Sequence, residues 1–117
     1  MTVTLYGIKN CDTVRAARKW LEGHGIDHQF HDIRDEPLPE GQFAQWLTEL
    51  GDALINKRST TWKQLGDADK AMAEDRGATL LQGHPTLMKR PLLDTGNSLH
   101  LGFKDADYQQ IFTHHTL

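Results

Sequence analysis

One thiol stands in this chain of 117 residues. Cys11 follows a short apolar run that stops at Gly7, and it precedes a stretch with helical periodicity. A thiol so placed sits at the first turn of a helix, where backbone N–H groups have no intrahelical partner and the positive end of the helix dipole points. Both stabilise a thiolate, which is the nucleophilic form of sulfur. Lys9 and Arg15 add positive charge nearby, and Asp12 opposes it. The chemistry available is attack on a disulfide or another electrophilic centre; the plainer reading of an intracellular cysteine is a small packing group. No second cysteine exists, so no intramolecular disulfide can form and any adduct must be resolved by an external thiol.

Two arginines come next. Arg58 lies in Asn56-Lys57-Arg58-Ser59 and Arg90 in Met88-Lys89-Arg90-Pro91, each bounded by turn or polar residues rather than set inside an amphipathic face. Planar guanidinium groups suit anions, although a solvated side chain is the commoner fate of an arginine. Pro91 precedes a hairpin signal, and a cis Arg90–Pro91 bond is expected there, fixing a tight turn that presents backbone opposite the thiol. The seven histidines lack the company of cysteines or carboxylates that a zinc site needs, so no metal is expected. Trp20, Trp46 and Trp62 read as core or packing residues. Asp32, Asp35 and Glu36 read as a solvated loop, and no phosphate-cradling glycine motif is present.

The elements that must position these groups follow from periodicity. Val3–Tyr6 reads as a strand ended by Gly7. Asn10 is the expected N-cap of a helix from about Cys11 to His24, with Val14, Ala17 and Leu21 on one face. His28–Ile33 gives a weak second strand, and Glu40–Leu50 a second helix after Pro37 and Pro39. From Asp52 to about Gln82 the pattern is helical in short pieces, broken near Gly66 and Gly77. Leu92–Asp94 and Ser98–Leu101 flank Thr95-Gly96-Asn97 as a hairpin, and Asp105–Phe112 closes the chain as a helix. This order predicts an α/β, thioredoxin-like mixed sheet with a helical insertion at about 40–82, in a single domain spanning 1–117.

Composition agrees with an ordinary globular domain: 38% hydrophobic and 25% charged residues, with a net charge of −3. A mildly acidic chain is a poor phosphate-tracking binder, so direct nucleic-acid binding is not expected. No run has the length of a membrane span, and the opening residues lack the pattern of a signal peptide. The expected setting is a reducing cytoplasm, where a lone thiol stays available.

The run Tyr6-Gly7-Ile8-Lys9-Asn10-Cys11-Asp12-Thr13-Val14-Arg15-Ala16-Ala17 resembles the N-terminal signature of the arsenate reductase (ArsC)/Spx family, and most closely its YffB-like branch. Further matching pieces are Leu54-Ile55-Asn56-Lys57-Arg58-Ser59, Leu87-Met88-Lys89-Arg90-Pro91-Leu92-Leu93 and Gly102-Phe103, so the likeness runs over nearly the whole chain. The resemblance implies a thioredoxin-like fold with a helical insertion. It implies that Cys11 is the nucleophile, that Arg15 is the arginine following it, and that Arg90 precedes a cis Pro91 near the thiol.

Several positions depart from the arsenate reductases. A further active-site arginine falls at Asn56 in their register, whereas Arg58 follows the Spx register. The His-Asn-Pro lead-in before Cys11 is missing, and a last oxyanion-binding arginine has no counterpart among Gly102, Phe103 and Lys104. The Cys-x-x-Cys switch common in Spx proteins is excluded by Val14. The resemblance therefore implies a glutathione-dependent thiol reductase, arsenate reductase-like, with Lys9, Arg15, Arg58, Arg90 and Pro91 holding substrate or glutathione. Its external thiol would come from glutathione or a glutaredoxin-type donor. The alternative it implies is a non-catalytic, Spx-like regulator that docks a protein partner such as RNA polymerase.

Overall fold

In the computed structural model, which describes residues 2–115 without the side chains of His114 and His115, the first strand, β1 (Thr4–Gly7), alternates half-buried and buried positions. That alternation is what a sheet with one covered face requires. β1 leads through residues 8–11 into α1 (Asp12–Gly23), whose Val14, Ala17, Trp20 and Leu21 are buried. β2 (Gln29–Asp32) follows, and the Gln29 N–H donates to the Val3 carbonyl at 2.9 Å. The sheet is completed late in the chain by β3 (Leu92–Asp94) and β4 (Leu99–Leu101), and its order is β2-β1-β3-β4. β1 pairs antiparallel with β3 and β3 with β4, whereas β1 and β2 are joined through a helix, the connection that parallel strands need. A last helix, Asp105–His115, closes the chain. The β-α-β opening, hairpin and closing helix on one mixed sheet form a thioredoxin-like α/β fold.

The chain divides into two units, Met1–His31 with Arg90–Leu117, and Asp32–Lys89. In the first, Val3, Leu5, Val14, Ala17, Trp20, Leu21, Leu93, Tyr108 and Phe112 form one apolar cluster. One contact in it fixes how β1 meets α1. A Cβ built on Gly7 would lie 2.7 Å from Val14 Cγ2 and 3.0 Å from Cγ1, and Val14 is fully buried with nowhere to go. Gly7→Ala is therefore expected to destabilise the protein by about 1–3 kcal/mol, the usual range for overpacking. Denaturant unfolding reads this, and an unchanged midpoint would show that α1 yields easily.

The second unit holds the helical block. It contains α2 (Glu40–Leu50), α3 (Thr60–Gln64), α4 (Asp67–Asp75) and α5 (Gly77–Gly83), with single 3-10 turns at Gly51–Leu54 and Pro85–Leu87; the closing helix is accordingly α6. Phe43 and Trp46 pack edge-on at 5.9 Å between ring centres, within a core that includes Leu54, Ile55, Leu80, Leu81, Leu87 and Met88. Ile55 and Met88 form an isolated antiparallel bridge. Trp62 is not core: it is half-buried, with the Lys57 and Lys70 ammonium groups 5.6 and 5.9 Å from its ring centre.

Two local expectations need correction. The N-cap of α1 is Cys11, not Asn10, with φ −95° and ψ 124°. The Cys11 N–H turns back to the Ile8 carbonyl at 3.3 Å, and the first helical bond runs from the Arg15 N–H to the Cys11 carbonyl at 2.9 Å. Asp32 is not part of a solvated loop. It is buried, and its carboxylate accepts the N–H groups of Arg34 at 2.8 Å and Asp35 at 3.1 Å, which ends β2 in a capped turn.

Candidate active site

The end of β1, a tight turn and the start of α1 together place Cys11. Its side chain is half-buried and packs against the apolar cluster of the first unit. As N-cap it faces the unpaired N–H groups of the first helical turn, and its side chain makes no capping hydrogen bond.

Arg15 braces the turn that carries the thiol. Its Nε donates to the Lys9 carbonyl at 3.2 Å and its Nη1 to Asp12 Oδ1 at 3.1 Å. Asp12 is the residue that sequence reasoning set against the thiolate; in the structure it is the partner of Arg15. The two side chains are 58% and 97% exposed, so the pair adds at most about 1 kcal/mol. Its effect is on direction, because it holds a guanidinium beside the N-cap with donors to spare. The Lys9 side chain is exposed, and its carbonyl is the part that orders the turn.

Arg90 and Pro91 come to the same end of the sheet. The Arg90–Pro91 peptide is cis, as expected from the sequence. Tyr6 stands opposite Leu92 in the antiparallel register, so Pro91 falls beside the end of β1 from which the chain leaves toward Cys11. Pro91 is buried, its carbonyl accepts the Gly102 N–H at 2.9 Å, and Arg90 is half-buried. The first unit therefore gathers Lys9, Cys11, Arg15, Arg90 and Pro91 at one sheet end.

Arg58 belongs to the second unit. It is exposed, and its N–H donates to Asn56 Oδ1 at 3.0 Å in a turn. Ser59 then caps α3 through its hydroxyl, which accepts the Trp62 N–H at 3.1 Å. Of the described histidines, His24 Nδ1 lies 2.8 Å from the Trp20 carbonyl, and His100 Nε2 lies 2.7 Å from Ser98 Oγ. Among the described residues no three His, Cys, Asp or Glu side chains gather as a metal site would require.

The family model described as the ArsC family matches residues 6–111, nearly the entire chain. The chain belongs to the ArsC family. An uncharacterised protein of Haemophilus influenzae is 42% identical to this ArsC-family chain over 112 residues, covering 94% of the chain and 98% of that protein. The global transcriptional regulator Spx of Bacillus subtilis is 32% identical over 111 residues, covering 92% and 85%. A solved structure of a YffB protein superposes with a TM-score of 0.86 at 34% identity, covering 92% of this chain and 96% of that one. These findings bear out the family and the fold together. Among the described residues, no helix of this ArsC-family chain is long and apolar enough to cross a membrane.

Proposed function

We propose that this ArsC-family chain is a glutathione-dependent thiol reductase in which Cys11 is the single nucleophile. The observation that carries the reading is the N-cap position of a half-buried thiol without a side-chain capping bond, in a sequence that holds no other cysteine. A helix N-terminus, with its unpaired N–H groups and the positive end of the dipole, is a setting in which other proteins place reactive thiols.

The reaction balances without a resolving cysteine. The Cys11 thiolate attacks the glutathione sulfur of a mixed disulfide; that S–S bond breaks, and the substrate leaves as a thiolate that takes a proton from water. A glutathione thiolate then attacks the glutathione sulfur now held on Cys11. Glutathione disulfide leaves, and the Cys11 thiolate is regenerated. The substrate sulfur is reduced, and the two glutathione sulfurs carry the oxidation away.

Glutathione bears two carboxylates, which match guanidinium donors. Arg15, braced by Lys9 and Asp12, and Arg90 are the groups of the first unit assigned to it, with Pro91 shaping the wall. Arg58 enters on the resemblance alone, so Arg58→Ala is its separate test. A cytoplasmic location belongs to the same proposal, because glutathione supplies the second thiol there.

The test is mass spectrometry after incubation with glutathione disulfide. One glutathionyl group on Cys11, released by added glutathione, is the expected result, with Arg90→Ala needing more glutathione for the same release. A wild-type protein that takes no adduct would sink the enzyme. It would also favour the second reading, a regulator that docks a protein partner without turnover, which the likeness to the Bacillus subtilis regulator supports.

A further inference from the structure

Glutathione accounts for cations close to Cys11, but not for those that run away from it along α1. Between Lys9 and Lys19 stand Lys9, Arg15, Arg18 and Lys19 against the single carboxylate of Asp12, a surplus of three positive charges in a chain that is −3 overall. The acidic surplus lies wholly outside this segment. Arg15, Ala16, Arg18 and Lys19 line a groove of about 480 Å³ together with one carboxylate, that of Glu22. Arg15 and Lys19 are exposed and Arg18 is half-buried.

Two of these cations are already directed. The Arg18 guanidinium lies 4.2 Å from the Phe30 ring centre, and Arg15 is held by the Lys9 carbonyl and Asp12. Groups held in place lose less freedom when a partner binds. Counted from Cys11, Arg15, Arg18 and Lys19 fall four, seven and eight residues on, along one helical stripe. At 1.5 Å per residue the charges reach from about 6 to about 12 Å beyond the thiol.

We infer that this face docks an acidic segment of a protein substrate and presents that segment's glutathionylated cysteine to Cys11. The inference rests on the reductase reading above and names its substrate class. An extended chain covers 12 Å in about four residues, so the acidic residues stand within about four positions of the substrate cysteine. The reacting step is the one already written: the Cys11 thiolate takes the glutathionyl sulfur, and the substrate thiolate leaves and is protonated by water. Attraction between the two surfaces acts on the encounter rate, which complementary charge raises by tenfold or more.

The test uses three glutathionylated peptides with a central cysteine flanked by glutamate, by glycine and serine, or by lysine. Glutathionyl transfer to the full-length protein is timed for each and divided by the rate with 2-mercaptoethanol, which removes the peptides' own reactivity. At low ionic strength the glutamate peptide is expected to react about tenfold faster than the neutral one. That advantage should fade toward 1 M salt, where screening acts within about 3 Å. Lys19→Glu, at an exposed position, and the double variant Arg18→Glu with Lys19→Glu should each reduce it.

Equal corrected rates, or an advantage that survives both variants, would overturn the inference. So would stronger inhibition by a short single-stranded oligonucleotide than by a glutamate peptide of equal charge, or a salt-sensitive dimer in light scattering that blocks the peptides. Wild-type protein that accepts glutathione from glutathione disulfide but ignores peptide charge loses this inference alone. Protein that accepts none loses the reductase reading as well.

Discussion

Cys11→Ser is expected to return glutathionyl transfer to its uncatalysed rate while leaving the protein at least as stable as before. The loss is chemical: a serine oxygen cannot enter a disulfide, and no other thiol exists to take over. The stability follows from the N-cap. Cys11 makes no side-chain capping bond there, whereas a serine hydroxyl is among the preferred acceptors for the N–H groups of the first turn. A gain of about 0.5–1 kcal/mol is the expected size, at the low end of the capping range. Two measurements on one variant therefore move in opposite directions, transfer in a coupled assay and the midpoint in denaturant unfolding. Transfer retained by the serine variant would remove Cys11 from the chemistry. Transfer and stability lost together would show that the packing of the thiol against the apolar cluster outweighs any capping bond made by serine.

The contrast between what the sequence revealed and what it hid turns on the range of each interaction. Short-range signals were legible. Val14, Ala17 and Leu21 mark the inward face of α1, and Glu40–Leu50 is helical at its expected bounds. The Thr95-Gly96-Asn97 turn closes the hairpin, with Gly96 at φ 91° and its N–H bound by Asp94 Oδ1 at 2.8 Å. Cys11 stood out for the same reason, since a strand, a glycine and a helix start are local patterns.

Interactions set by the path of the backbone were not legible. Nothing in the spacing says that the Lys9 carbonyl turns toward Arg15, so Asp12 read as an opponent of the thiolate rather than as the partner of a brace. The approach of Gly7 to Val14 depends on how closely a strand packs on a helix. Asp32 was misread because its value lies in capping a turn whose direction the sequence leaves open. Tyr108 went unremarked, because a buried hydroxyl cannot be told from an exposed one by residue type.

Tyr108→Phe is expected to stabilise the protein by about 1–3 kcal/mol near neutral pH, the usual cost of a buried polar group left without a partner. Tyr108 is 1% exposed, and its hydroxyl has no hydrogen-bond partner among the described residues. The ring contacts survive the change: Tyr108 meets Trp20 edge-on at 5.5 Å and Phe103 at 4.7 Å between ring centres. The pH profile supplies a second readout. Burial raises the Tyr108 pKa well above the ordinary tyrosine value, so the folded protein keeps this proton after the unfolded chain has lost it. Stability tied to Tyr108 is therefore fully present below about pH 10 and is lost as pH rises beyond it, by about 1.4 kcal/mol per pH unit for one proton. Tyr6 acts in the same direction, raised by burial first and by the Asp94 carboxylate second. In Tyr108→Phe the alkaline fall in stability should become shallower, with the part due to Tyr6 remaining. Unfolding midpoints of both proteins, followed from neutral pH to pH about 11, read the two effects together. A variant that is less stable at neutral pH would show that the Tyr108 hydroxyl has a hydrogen-bond partner in solution, and one that falls as steeply in alkali would show that water reaches the hydroxyl and leaves its pKa unraised.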